Sequence, residues 1–318
     1  MIHRFCVAPM MDRTDRHERF FLRSLTKKAY LYTEMINAQA ILYGKTEELL
    51  MHDPSEHPIG IQLGGNDPAI LTEAAIIAET YNYDEINLNI GCPSSKVQSG
   101  QFGAILMKNP ELVSRCVEEI KKKVKVPVTV KCRIGVDNMD EQIGLSRFVN
   151  QVSKSGCSLF ILHARKALLK GLSPKENRNI PPLNYKRVYE LKDEFPELEI
   201  IINGGIETLD QCKKHLKFVD GVMMGRRAYD NPYQLLAVDN LFYGLPSKEI
   251  TKRDLLLEMI PYLIKQYNSG LKLNLICRHY MGLTKGLKFA KQIRSTLSNI
   301  DSFNDPEKTL NQIANQLV

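Results

Sequence analysis

No run of about 18 apolar residues occurs in this 318-residue chain, so the sequence offers no candidate for a membrane-spanning helix. The opening MIHRFCVAPMMDRTDR lacks the apolar core of a secretory signal, and a cytoplasmic, monomeric protein is expected. No Cys-x-x-Cys pair is present. The seven cysteines (Cys6, Cys92, Cys116, Cys132, Cys157, Cys212 and Cys277) are widely spaced and odd in number. That pattern argues against zinc, iron–sulfur or disulfide frameworks, so no metal is expected and reduced thiols are the default. Low-complexity tracts and close repeats are absent as well. Neither sign of charge dominates: the net charge of +7 is by itself weak evidence for a polyanionic partner.

What does recur is a pattern. Short β-branched or apolar runs appear at residues 4–10 (RFCVAPM), 30–35 (YLYTEM), 58–64 (PIGIQLG) and 85–91 (EINLNIG). Four more follow at 126–134 (VPVTVKCRI), 159–164 (LFILHA), 199–203 (EIIIN) and 221–226 (GVMMGR). Helical patterns lie between them at 15–25, 68–81, 109–124, 142–155, 184–194, 208–216 and 231–241. Asp67 is a candidate N-cap with Pro68 at the first helical position, and Asn109–Pro110 repeats that start. Eight strands alternating with helices predict a (β/α)8 TIM barrel over residues 1–243. The competing doubly wound sheet would carry a glycine fingerprint after its first strand, and none is there. From residue 251 to 318 only helical patterns remain, at 254–267, 273–281, 290–297 and 305–317, which predicts a small C-terminal all-helical domain.

Barrel enzymes build their sites at the C-terminal ends of strands. Here those ends carry Ala8-Pro9-Met10, Glu34, Gln62, Asn87 with Asn89 and Cys92, Lys131 with Arg133, His163 with Arg165, Asn203-Gly204-Gly205, and Gly225-Arg226. A ring of buried polar groups is costly unless something satisfies it, and a polar cofactor is one candidate. Each residue taken singly could equally be a hydrogen-bonded structural group. The glycines after strands seven and eight, with Arg226, sit where this fold usually binds phosphate. Spacing alone therefore reaches a barrel that binds a phosphorylated ligand.

Longer motifs are more specific. VAPMMDRTDR, YTEM, IQLGG and INLNIGCPSSKVQSGQFGAILM resemble tRNA-dihydrouridine synthases. So do VTVKCRIG, LHARKALLKGLSPKENRNIPPL, INGGI and GRRAYDNP. The likeness covers nearly the whole chain, and residues 171–183 with RHYMGL at 278–283 look like the DusA branch, whose substrates are uridines 20 and 20a of the tRNA D-loop. The resemblance implies bound FMN as hydride donor to uracil C6, Cys92 as proton donor to C5, and NADPH as the electron source. A free thiol is mostly protonated at neutral pH and can act as an acid without a large shift.

The same resemblance implies that Pro9, Met10, Met11, Gln62, Lys131 and His163 contact the flavin. Asn203, Gly204, Gly205, Gly225 and Arg226 would take its phosphate. Asn89 would bond the uracil edge or the flavin. Seven basic residues and no acidic one lie between Lys265 and Ile300, and Lys288, Lys291 and Arg294 recur every three residues. A second basic loop holds Arg165, Lys166, Lys170, Lys175 and Arg178 against Glu176 alone. Arg165, Lys175, Arg178, Lys291 and Arg294 are the expected tRNA contacts. Three alternatives stay open: a flavin barrel acting on a free pyrimidine in the manner of dihydroorotate dehydrogenase, a non-catalytic tRNA-binding protein, and an aldolase with Lys131 as its Schiff-base lysine.

Overall fold

The structure, a computed structural model, describes residues 2–317. They form two compact units, residues 2–14 with 29–225 and residues 15–28 with 226–317. The first unit is a barrel of eight parallel strands: β1 Phe5–Val7, β2 Leu31–Asn37, β3 Ile59–Gly64, β4 Glu85–Ile90, β5 Val128–Arg133, β6 Leu159–His163, β7 Glu199–Asn203 and β8 Gly221–Met224. Each strand pairs with its neighbour in sequence, and β1 pairs with β8 in the register Phe5↔Val222. Between β1 and β2 the wall closes through a single bridge. There Val7 N–H donates to the Tyr30 carbonyl and Tyr30 N–H to the Phe5 carbonyl, both at 2.9 Å. The (β/α)8 architecture expected from the strand–helix alternation is therefore the one observed.

Strand periodicity sorts side chains between the barrel interior and the helical layer. In β4 the apolar set faces out: Leu88 and Ile90 line a small cavity with Leu71, Val113 and Cys116 of the outer helices. The polar set, Glu85, Asn87 and Asn89, faces in. Thr129 and Lys131 of β5 and Gln62 of β3 share that interior. The opposite wall is apolar, where Cys6, Ala8, Tyr30, Tyr32, Leu159, Ile161, Ile201 and Met223 form one buried cluster. The expected caps are in place. Asp67 accepts from Ala69 and Ile70 N–H, and Asn109 accepts from Leu112 N–H, with proline opening each helix. Short helices at Ala38–Tyr43, Thr46–Leu50 and Ser95–Ser99 interrupt stretches that show no helical period of useful length. Residues 231–241 hold a 3-10 turn, Pro232–Ala237, before the helix Val238–Tyr243.

The second unit is helical and takes in Arg16–Leu25, the first helix of the chain, as well as residues 226–243. A linear division at 243 assigns both to the barrel. Polar and aromatic contacts explain the grouping. Asp239 accepts from the Thr26 hydroxyl at 2.5 Å and from Lys27 and Lys28 N–H at 2.7 and 3.0 Å. Asp15 caps Arg16–Leu25 and also binds Arg278 and His279 at 2.8 and 3.0 Å. Phe20 stacks on Tyr262 with ring centroids 4.0 Å apart. Among the described residues no helix is long and apolar enough to cross a membrane.

At the N-terminal end of the barrel, His3 lies buried with Nε2 2.7 Å from Glu85 and Nδ1 3.3 Å from Glu199. Tyr30 flanks its ring, with centroids 4.2 Å apart, and Tyr32 donates to Glu85 at 3.0 Å. Burial alone would lower the His3 pKa, but bonding and attraction to Glu199 and Glu85 outweigh it and raise it from 6.5 to about 9. A raised folded-state value means stabilisation that is complete below pH 6.5 and lost as pH climbs through 9. Replacing His3 with glutamine should therefore lower Tm at pH 6, by a loss on the order of 2–3 kcal/mol, and flatten the decline between pH 6.5 and 9. Parallel Tm–pH curves for the two proteins would show that His3 carries no net charge in the fold.

Candidate active site

The loop after β4 is built by its own side chains. Asn89 turns back so that its Oδ1 accepts from Gly91 N–H at 3.2 Å and Cys92 N–H at 3.0 Å. This side-chain turn lifts Cys92 off the end of the strand and fixes its backbone. Ser94 caps the helix Ser95–Ser99 and accepts from the Cys92 thiol at 3.6 Å. Gly103, at φ +76°, approaches so closely that an added Cβ would stand 2.5 Å from the Cys92 carbonyl oxygen, so only glycine fits there. Gly91 lies less tightly against β5, where a Cβ would meet the Cys132 backbone at 3.3 Å.

Cys92 is the half-exposed cysteine of the chain, and the other six are buried. Burial pushes the thiols of Cys116, Cys157, Cys212 and Cys277 up to about 12 and those of Cys6 and Cys132 well above their usual range. Those six are inert by environment, which leaves Cys92 as the thiol with access to solvent and substrate.

Beside this loop the ends of β5 and β6 gather positive charge. Lys131 is half-buried, and its ammonium makes no ion pair or hydrogen bond among the described residues. Its pKa falls from 10.5 to about 8, first through burial and then through repulsion by Arg133. His163 is held neutral, well below its usual range, by burial and by Arg133, Lys131, Arg165 and Arg178 together. Its Nδ1 is buried and has no hydrogen-bond partner. Arg133 is nearly fully buried; its Nε donates to the Gly91 carbonyl at 3.2 Å and its Nη1 to the Asn177 carbonyl at 3.0 Å. It thereby ties the cysteine loop to the basic loop after β6. Arg133 was visible as a polar strand end, but nothing in the sequence distinguished it from its neighbours. The signal was its spacing: Thr129, Lys131 and Arg133 alternate onto one face of β5.

The basic loop is ordered by Asn177, which is fully buried and donates to the carbonyls of Leu168, Leu172 and Ser173 while accepting from Leu168 N–H. Gln98 joins it to the cysteine loop, donating to Pro93 and Leu169 carbonyls at 2.8 and 3.0 Å. Arg165 donates to the Pro181 carbonyl. Lys175 and Arg178 are exposed. Arg165 and Arg178 thus join Lys131, Arg133 and His163 in one electrostatic group, whereas Lys175 is a surface residue of the same loop.

After β7, Asn203 is buried and its amide donates to the Met223 carbonyl of β8 at 2.8 Å. Gly204 and Gly205 follow at φ +111° and +67°, a conformation that favours glycine. A Cβ on Gly204 would stand 3.1 Å from the His163 ring, and one on Gly205 would meet Leu183 at 2.5 Å. Gly225 follows β8, and a Cβ there would make only an ordinary contact with the Ala8 side chain at 3.9 Å. Arg226, exposed, opens the short helix Arg226–Asp230 of the second unit. In the first loop Met10 packs against the interior cluster, Pro9 is half-buried and Met11 is 56% exposed.

The family model for dihydrouridine synthase matches residues 6–318. The chain belongs to the dihydrouridine synthase family. Among the relatives of this dihydrouridine synthase family member is the tRNA-dihydrouridine(20/20a) synthase of Synechocystis sp., 52% identical over 298 residues, which covers 94% of this chain and 89% of that one. The proteins of the same name from Pseudomonas putida and Escherichia coli are 50% and 51% identical, covering 93% of this chain and 88% and 86% of theirs. A solved structure of a 2-naphthoyl-CoA reductase complex superposes with a TM-score of 0.56 at 10% identity, over 74% of this chain and about half (49%) of the other. At that identity the likeness shows the fold alone.

Dihydrouridine synthases are flavin-dependent oxidoreductases. The residues present fit such a group. An ammonium without a partner, a buried imidazole nitrogen without a partner, and two positive-φ glycines lie on neighbouring strand ends. The buried imidazole nitrogen is costly if nothing meets it, and the glycines let backbone approach a ligand closely.

In the second unit Lys291 is exposed on the helix Ala290–Ser298, and Arg294, one turn on, donates to the Thr284 hydroxyl at 3.0 Å. Lys288 precedes that helix, with its ammonium 5.7 Å from the Phe289 ring centroid, so the three-residue spacing spans a loop as well as a helix.

Proposed function

We propose that this protein reduces uridine to 5,6-dihydrouridine in tRNA, at positions 20 and 20a of the D-loop, using FMN and NADPH. One observation carries the reading: the half-exposed thiol of Cys92, held by Asn89, stands on a strand end beside a cationic group with unmet hydrogen-bonding capacity. The names of the relatives support tRNA as the substrate and 20/20a as the positions.

FMN, when bound, supplies the hydride for uracil C6. Cys92 holds the proton for C5 on Sγ, with Ser94 Oγ as its resting partner. Lys131 and His163 bind the polar edge of the ring. Lys131 supplies positive charge and His163 a neutral imidazole, since the surrounding cations keep it unprotonated. Gln62 keeps one N–H for that edge, since its Oε1 accepts from Asn89 and its Nε2 donates to Asn87. Pro9, Met10 and Met11 pack against the ring, and the backbone around Asn203, Gly204, Gly205 and Gly225 receives the phosphate. Asn89 holds the Cys92 loop through its Oδ1, and its Nδ2, which gives one hydrogen to Gln62, keeps the other for the uracil or flavin edge. Arg165, Lys175 and Arg178 meet RNA phosphates near the thiol, and Lys291 and Arg294 do so on the second unit.

Substrate class is tested by NADPH oxidation with unmodified tRNA, free uridine and orotate supplied in turn. Stimulation by tRNA alone is expected; stimulation by a free pyrimidine alone would support the alternative that acts on one. Replacing Lys291 and Arg294 together with glutamate should weaken tRNA binding and make its salt dependence shallower by about one per lost phosphate contact, with the flavin spectrum unchanged. Unchanged affinity across a salt titration would move the RNA contacts elsewhere.

A further inference from the structure

An unbroken line of side-chain hydrogen bonds runs through the barrel from the cysteine loop to the opposite end. Gly91 and Cys92 N–H donate to Asn89 Oδ1. Asn89 Nδ2 donates to Gln62 Oε1 at 2.7 Å, and Gln62 Nε2 donates to Asn87 Oδ1 at 2.8 Å. Asn87 Nδ2 donates to Thr129 Oγ1 at 2.7 Å, and the Thr129 hydroxyl donates to Glu85 Oε1 at 2.5 Å. Glu85 also accepts from Tyr32 and faces His3. Gln62, Glu85, Asn87 and Thr129 are all buried.

The line has one direction. Backbone N–H groups at one end can only donate, and a carboxylate at the other can only accept. Three amides in series would be ambiguous on their own, because nitrogen and oxygen could exchange places. The two ends remove that freedom. Thr129 gives its hydrogen to Glu85 and can then only accept from Asn87. The Asn87 oxygen must therefore face Gln62, the Gln62 oxygen must face Asn89, and the Asn89 oxygen must face the loop. Flipping any amide would put two donors or two acceptors together in a buried site, which is costly.

We infer that Asn87 and Thr129 are positioning residues for Cys92, setting the orientation of the Gln62 and Asn89 amides so that the Asn89 oxygen holds the cysteine loop. Neither residue touches the loop itself. This inference rests on the reading of Cys92 as the proton donor only for its effect on activity; its effect on the thiol is independent of that reading.

The test uses the flavin-loaded protein. Cys92 is half-exposed and the other cysteines are buried, so the rate of modification by iodoacetamide, followed on the Cys92 peptide, reports the state of this loop. Thr129→Val keeps the side-chain shape and removes the hydroxyl, and Thr129→Ser keeps the hydroxyl. The valine variant should change the Cys92 alkylation rate several-fold and slow single-turnover uridine reduction by about 10- to 100-fold, more than it slows flavin reduction by NADPH. The serine variant should return both readouts close to wild type. Asn87→Asp, which loses the donor to Thr129 at nearly constant shape, should behave as the valine variant does and carries the test if that one does not fold. Wild-type alkylation in Thr129→Val and Asn87→Asp, or a serine variant as impaired as the valine one, would overturn the inference. Altered alkylation with the expected serine rescue, in a protein whose Cys92→Ala variant still forms dihydrouridine, would uphold the positioning role and remove the acid role instead.

Discussion

Replacement of Cys92 by alanine is expected to slow dihydrouridine formation by about 10²- to 10⁴-fold, the usual range for loss of a general acid, while NADPH still reduces the flavin. The structure supports a clean result. The loop is held through backbone N–H bonds to Asn89 and through Ala104 N–H, which donates to the Cys92 carbonyl at 2.9 Å, not through sulfur. The thiol itself makes one long contact, to Ser94. Alanine therefore removes the proton and leaves the loop in place. Serine should restore little, because a hydroxyl is a far weaker acid than a thiol. Product formation by the alanine variant at the parent rate, measured in a single turnover with reduced enzyme, would eliminate Cys92 as the donor.

Lys131→Met is expected to act in opposite directions on stability and on flavin retention. In the free protein the ammonium is desolvated, repelled by Arg133 and unpaired, which lowers its pKa to about 8. A base whose folded value is depressed costs stability while it is protonated, and the cost fades as pH rises past that value. Methionine keeps the length and removes the charge, so Tm of the flavin-free protein near neutral pH should hold or rise. Flavin retention should fall about tenfold or more, since a charge-assisted hydrogen bond contributes ~1.5–3 kcal/mol. Lowered stability with unchanged flavin affinity would mark Lys131 as structural. An aldolase with Lys131 as its Schiff-base residue requires no flavin, and a yellow protein as purified would remove that alternative.

The barrel was legible because its strands and caps obey local rules. Asp67–Pro68 and Asn109–Pro110 start helices where their chemistry says they should, and EINLNI alternates as a strand must. EINLNI was read as carrying buried polar groups at its end, but the partners that satisfy them were not legible. Alternation gives two faces, and the ordinary expectation buries the apolar one. Here both faces are covered, and the polar set Glu85, Asn87 and Asn89 is tolerable inside because partners on β2, β3 and β5 satisfy it. Those partners are 25 to 53 residues away in sequence, beyond the reach of pattern reading.

Cys92, Lys131 and His163 stood out as chemistry-bearing residues at strand ends, and the structure brings them to one end of the barrel. Arg133 stood out only as a polar strand end, and Asn177 and Gln98 not at all, because their work is to bond backbone carbonyls of distant loops, which sequence pattern does not encode. The grouping of Arg16–Leu25 with the C-terminal helices has the same origin. Asp15 and Asp239 each bind partners more than 200 residues away.

The most direct measurement is the dihydrouridine content, mapped by position, of tRNA that lacks the modification after incubation with purified protein and NADPH. Dihydrouridine at positions 20 and 20a, and none without NADPH, is the predicted result. Flavin-loaded protein that binds this tRNA and oxidises NADPH but leaves every uridine intact would contradict the account.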